Sequence, residues 1–239
     1  IDAHLLNREG IARLCYCGSV LHTLPAGMTT TREPIQLGAE LYGHAGLEAD
    51  LEVVRLMSRA LAAAGVAGVL LDIGHPSIYR ALTAGANLAA DEAESLFHAV
   101  QQKDAPAVLA MHDLLGEQRA EAIAALTRLS GGTGVLEEAR KALPKNPDIA
   151  QALDELSRLA KEAAAPGLAV SFDLAELGGF NYESGVVFAA FSSASPDALA
   201  RGGRYDEVGR SFGRARPATG FTMDLRRIAA LAGPTARAA

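Results

Sequence analysis

The chain has 239 residues, 49% of them hydrophobic, which is enough apolar material to pack one large domain or one and a half. Its 22 basic and 28 acidic residues leave a net charge of −6, so no overall positive field is available to hold RNA or DNA. With no Trp and few aromatics the core must rest on Leu, Val, Ile and Ala, and no run approaches the roughly 18 apolar residues of a membrane helix, so a cytoplasmic protein is expected.

In chain order, IDAHLLNREG resembles the end of a helix whose start is absent, which predicts a missing N-terminal segment. Residues 12 to 21, ARLCYCGSVL, read as a strand. Cys15 and Cys17 share one of its faces, where their geometry does not favour a mutual disulfide, and they are expected to pack as thiols. A polar loop, TLPAGMTTTRE, leads to a second strand, EPIQLGAELY. There Ile35, Leu37, Ala39 and Leu41 face one side and Gln36, Gly38, Glu40 and Tyr42 the other. Strand, long loop, strand predicts an antiparallel hairpin. GLEADLEVVRLMSRALAAAG follows as an amphipathic helix with Leu47, Leu51, Val54 and Met57 in its apolar stripe. VAGVLLDIG predicts a buried strand and HPSIYRALTAG a helix.

Residues 88 to 165 are rich in Ala and Leu, cut by Pro106, Gly131-Gly132, Pro144 and Pro147, and predict a helical insertion without strands. GGTGV at 131 to 135 follows no strand and lacks the GK[ST] of a phosphate loop, so it is expected to be a helix–helix turn. From 166 the strand pattern returns in GLAVSFDL, SGVVFAAF and RPATGF, before a closing helix, MDLRRIAALAG. The boundaries are therefore 1–87 for the first part of a core, 88–165 for the insertion and 166–239 for the second part. The fold class is α+β, with a mainly antiparallel sheet flanked by helices.

Residues 201 to 227, RGGRYDEVGRSFGRARPATGFTMDLRR, hold seven arginines and five glycines. Gly202-Gly203 could admit a ligand or relieve crowding beside a neighbouring strand, and both readings stay open. Arg204 and Asp206, two apart, read as an exposed ion pair worth about 0–1 kcal/mol. His4, His44, His75, His98 and His112 have no ligand spacing, and neither a metal nor a cofactor is expected.

Three stretches together resemble class II aminoacyl-tRNA synthetases, and among them the histidyl-tRNA synthetases. RLCYCGSVLHTLPAGMTTTREPIQLGAELYG, residues 13 to 43, is similar to the second class motif. LGGFNYESGVVF, 177 to 188, stands where that family has a histidine-recognition segment. GGRYDEVGRSFGRARPATGFTMDLRRI, 202 to 228, resembles its glycine-rich strand and third motif. The resemblance implies a class II synthetase fold with a helical insertion. It places the phosphate-clamping arginine of the second motif at His22, an ATP-holding glutamate at Leu24 and the catalytic arginine of the recognition segment at Gly178.

A neutral imidazole, a leucine and a glycine cannot replace those groups, so loss of adenylation is expected. Removing one donor to a charged transition state typically costs about 2.7–4 kcal/mol. Arg32 and Arg227 are retained motif arginines, but Asp224 and Arg226 replace the residues that flank Arg227 in the family. A synthetase of this type continues into an anticodon-binding domain of about 100 residues, and none is expected here.

The resemblance also implies histidine contacts from Gln36, Glu40, Tyr182 and Gly179. LHTLPAGMTTTREPIQLGAELYGHAG and ALARGGRYDEVGRSFG are similar to the regulatory subunits of ATP phosphoribosyltransferase, synthetase paralogues that do not charge tRNA. That resemblance implies a non-catalytic allosteric subunit. It would dimerise, join the short-form catalytic subunit in a cytoplasmic hetero-octamer, activate it in the first step of histidine biosynthesis and take part in inhibition by histidine. An active histidyl-tRNA synthetase and a stand-alone histidine sensor are the alternatives.

Overall fold

The computed structural model describes residues 9–23, 31–164 and 167–231. Leu24, most of the loop after it, the helix end expected at the N-terminus and the end of the closing helix lie outside the described residues. The chain divides into two compact units, one of residues 1–71, 163–169 and 188–239, the other of 72–162 and 170–187. The architecture is α+β.

In the first unit, β1 (Ala12–Ser19) pairs antiparallel with β2 (Ile35–Tyr42). β2 pairs with β8 (Ala218–Asp224), and β8 with β7 (Ser195–Arg204), both antiparallel. The period-two pattern of β2 decides which side is buried: Ala39 and Leu41 go into the core with Phe221 and Met223 of β8. α1 (Leu47–Ala63) covers that side with the expected stripe, Leu47, Leu51, Val54 and Met57, all buried. Glu48 and Asp50 lie in its first turn, where carboxylates favour a helix N-terminus, and Gly65 follows its end at φ +79°.

Two expectations fail in this unit. Cys15 and Cys17 are free and exposed instead of packed, on a strand that ends the strand order. Met223 and Asp224 belong to β8 and not to the closing helix, α9 (Leu225–Leu231). Pairing of Asp224 with Gln36 and of Met223 with Leu37 holds both in the ladder. The Asp224 carboxylate then accepts from the backbone N–H groups of Arg226 (2.9 Å) and Arg227 (3.4 Å), capping α9.

The second unit is mostly helical, as the alanine- and leucine-rich composition predicts. Its helices are α2 (Ser77–Thr83), α3 (Ala90–Gln101), α4 (Ala105–Ala110), α5 (His112–Leu115), α6 (Glu117–Leu126), α7 (Gly134–Ala142) and α8 (Pro147–Ala163). Leu96, Val100, Ile123, Leu126, Leu153 and Leu156 form its core. The breakers act as caps. Asn146 accepts from the N–H of Asp148 (2.8 Å) ahead of Pro147 in the first turn of α8, and Asp104 accepts from Ala107 (3.0 Å) ahead of Pro106 in α4.

The GGTGV turn is partly strand: Ser130 and Gly131 form β4, antiparallel to β5 (Leu168–Asp173), opposite Asp173 and Phe172. A two-residue ladder has no periodicity, and it exists because β5, distant in sequence, lies beside it. β3 (Val69–Gly74) and β6 (Val187–Ser192) complete the strands, and each has residues in both units. Among the described residues no helix is long and apolar enough to cross a membrane.

Candidate functional site

The polar side of the first unit's sheet carries most of the predicted positions. Gln36, Gly38, Glu40 and Tyr42 alternate along β2; Gly220, Thr222 and Asp224 stand opposite them on β8, and Arg201 is paired with Thr222 from β7. Two glycines keep this face flat. A Cβ on Gly38 would strike the Tyr16 ring and the Phe221 carbonyl, and one on Gly220 would strike the Glu40 carboxylate. On the opposite, core side Gly202, paired with Phe221, has the Gly220 carbonyl and, at 2.6 Å from where its Cβ would stand, the Phe188 ring. Of the two readings of Gly202, strand crowding is the observed one.

Glu40 is half-buried and accepts a hydrogen bond from the Tyr205 hydroxyl. Tyr205 also meets Tyr42 edge to face, ring centres 6.4 Å apart. Burial raises the Glu40 carboxyl above its ordinary range, and the Tyr205 contact pulls it back only in part. The Tyr205 hydroxyl is pushed well up, first by burial and then by the Glu40 charge, so it stays a donor. When ionised, a carboxylate beside a phenol offers the kind of acceptor that an amine or an imidazole N–H needs.

A cavity of about 190 Å³ opens further along the same face, lined among others by His22, Gln36, Arg201, Thr222, Asp224 and Arg227. The structure thus brings His22, Gln36 and Arg227 together. Arg227 donates to the Ala198 carbonyl and pairs with Asp197, each at 3.1 Å, so its charge is engaged on β7. Arg32 closes the loop instead: its Nε donates to the His22 carbonyl (3.0 Å), and its own carbonyl accepts from the His22 N–H (2.8 Å).

Arg204 departs most from expectation. It is 6% exposed, and its Nη2 donates to Asp50 of α1 at 2.8 Å and its Nε to the same oxygen at 3.1 Å. It also reaches the carbonyls of His44 (3.2 Å) and Gly46 (3.1 Å) and the expected Asp206 (3.1 Å). Burial lowers the tendency of the guanidinium to hold its charge, and the two carboxylates more than restore it. This is a buried clamp, not an exposed ion pair. Asp50 and Tyr205 are the residues that sequence reasoning missed. Alternation through Gly203, Arg204 and Tyr205 carried the one available signal, since it puts Arg204 on the helix side and Tyr205 on the polar side.

In the second unit, Gly178 to Glu183 form a tight turn. The Gly178 N–H donates to Glu176 (2.6 Å), and the carbonyl of Gly179 accepts from Tyr182 (2.8 Å) and Glu183 (2.7 Å). Gly179 has φ +76°, a left-handed conformation that favours glycine, and Tyr182 Cζ lies 3.0 Å from where its Cβ would stand. Arg80 of α2 anchors this turn by donating to the carbonyls of Phe180 (3.1 Å) and Glu183 (3.0 Å). Tyr182 is 55% exposed.

The family model of histidyl-tRNA synthetase matches residues 1–228. The chain is 56% identical over its whole length to an ATP phosphoribosyltransferase regulatory subunit of Ralstonia nicotianae. Over 96% of its length it is 54% identical to one from Azoarcus sp.. The chain belongs to the histidyl-tRNA synthetase family that the family model describes. It spans about three-fifths of the length of these relatives, 61% of the first and 59% of the second. Among solved structures, a protein described as an ATP phosphoribosyltransferase regulatory subunit/histidyl-tRNA synthetase from Bacillus halodurans superposes with a TM-score of 0.82 at 29% identity. The match covers 97% of this chain and 61% of that one. The ATP phosphoribosyl transferase complex from Thermotoga maritima shares the fold, with a TM-score of 0.71 at 18% identity, over 93% of this chain and 77% of that one. The class II synthetase-like fold expected from the three motifs is thus the fold this chain shares with these structures.

Proposed function

We propose that the protein is a non-catalytic regulatory subunit that activates a short-form ATP phosphoribosyltransferase in the first step of histidine biosynthesis and carries histidine inhibition to it. One observation carries the reading: relatives over half identical across the whole chain are named as such subunits. The site supports it. His22 and Gly178 stand where adenylation needs guanidinium groups, and the retained Arg227 is engaged by Asp197. Gln36 and Glu40 are the proposed histidine contacts on β2. Tyr182 and Gly179, in the second unit, are proposed on the resemblance alone. Dimerisation and assembly into a cytoplasmic hetero-octamer with the catalytic chain belong to the same proposal.

Inhibition of this kind needs histidine to bind two states of the complex with different affinity. The test is to titrate the protein into the catalytic subunit and follow phosphoribosyl transfer with and without histidine. Activation is expected, and its absence defeats the reading. Glu40→Ala is expected to weaken inhibition by histidine while leaving activation in place. Unchanged inhibition would remove β2 as the histidine site.

A further inference from the structure

A second cavity, of about 630 Å³, lies wholly in the second unit, between α2, α3 and the turn at Phe180 and Asn181. Its size is that of a small-molecule site, and none of the proposed histidine contacts lines it. Three rings make its wall. Tyr79 meets Phe180 at 5.3 Å and 78° and Phe97 at 6.4 Å and 71°, and Phe97 meets Phe180 at 5.6 Å. Arg80 backs this wall, its guanidinium carbon 4.9 Å from the centre of the Phe180 ring.

Rings alone would be ordinary core packing. The Tyr79 hydroxyl is the second observation. Tyr79 is only 4% exposed as a residue, yet its hydroxyl is not a fully buried atom and opens onto this space. Burial alone pushes this one up to about 12, with no hydrogen bond contributing. Among the described residues it has no partner, so the open space that Tyr79 lines is where one would come from. The lining has a charge preference as well. It includes the Glu94 carboxylate, 3.7 Å from His98, and neither Lys nor Arg.

We propose that this cavity binds a small aromatic amine, with its ring against Tyr79, Phe97 and Phe180, a polar ring atom on the Tyr79 hydroxyl and its ammonium group beside Glu94. Aromatic walls attract cations, and the Glu94 carboxylate adds to that attraction, whereas an anion would meet that carboxylate at the cavity.

The chain contains no Trp, so the fluorescence of an indole probe reports binding without background. Tryptamine, indole and indole-3-acetate differ mainly in charge. Tryptamine is expected to bind at least about 10-fold more tightly than indole-3-acetate, with Glu94→Gln bringing it level with indole. Tyr79→Phe keeps the ring and should weaken tryptamine by about 3- to 10-fold. Melting curves of both variants check that they fold, and the charge series on the unmodified protein stands without them. Equal binding of all three probes, no binding up to millimolar concentration, or an unchanged affinity in folded Tyr79→Phe overturns the proposal. The readout is binding, not activation of a phosphoribosyltransferase, so it can fail while the proposed function holds.

Discussion

Glu40 makes the folded protein sensitive to pH in a defined direction. Its carboxyl is raised by burial above its ordinary value of 4.5, so the folded state holds that proton more tightly than the unfolded one. Stability from this group is therefore greatest below about pH 4.5 and is lost as pH rises through the higher folded value. Above that value the charge the carboxyl then carries opposes folding. Glu40→Gln keeps an acceptor for Tyr205 and should raise the melting temperature by about 2 °C at pH 7, with no difference near pH 4. Arg204 gives the opposite lesson. Removing Asp50 leaves a guanidinium buried, and Asp50→Ala should cost about 3 kcal/mol in a urea titration, at the low end for such pairs because Asp206 remains. The pair Asp50→Leu and Arg204→Met should recover most of that loss. Neither contact was legible in the sequence. Arg204 and Asp50 lie 154 positions apart and Tyr205 and Glu40 165, and local patterning carries no information about partners so distant.

Among the elements, periodicity was informative wherever a segment buries one side over several turns or residues. The stripe of α1 and the alternation of β2 are both read correctly from sequence, because burial against a single neighbour imposes the period. It failed where a second strand decides: β4 is two residues long and pairs only because β5 passes beside it, and β8 runs on through Met223 and Asp224 because β2 offers them partners. Asp224 was expected as a departure from the motif that flanks Arg227. Its geometry gives it a structural task as the cap of α9. Asp224→Ala should lower stability by about 1 kcal/mol in denaturant melts, and Asp224→Asn should be nearly neutral.

For the molecule as a whole, the motif order was enough to place the chain among synthetase-like proteins, since three matching stretches in sequence are specific where each alone is weak. The histidine contacts were carried over from the family, and Gln36 and Glu40 do share one face of β2. Adenylation needs several charged groups acting together, so restoring one should not restore it: His22→Arg should leave histidine-dependent ATP–pyrophosphate exchange at background, because Gly178 is unchanged. The proposed histidine response has a hidden dependence. Arg204 and Tyr205 are consecutive and point to opposite sides of the sheet, so the clamp that Asp50 makes under α1 also fixes where the phenol stands against Glu40. If Glu40 holds histidine as proposed, a genetic selection for altered feedback would thus recover substitutions at Asp50, a position that never meets the ligand yet governs the hand that holds it.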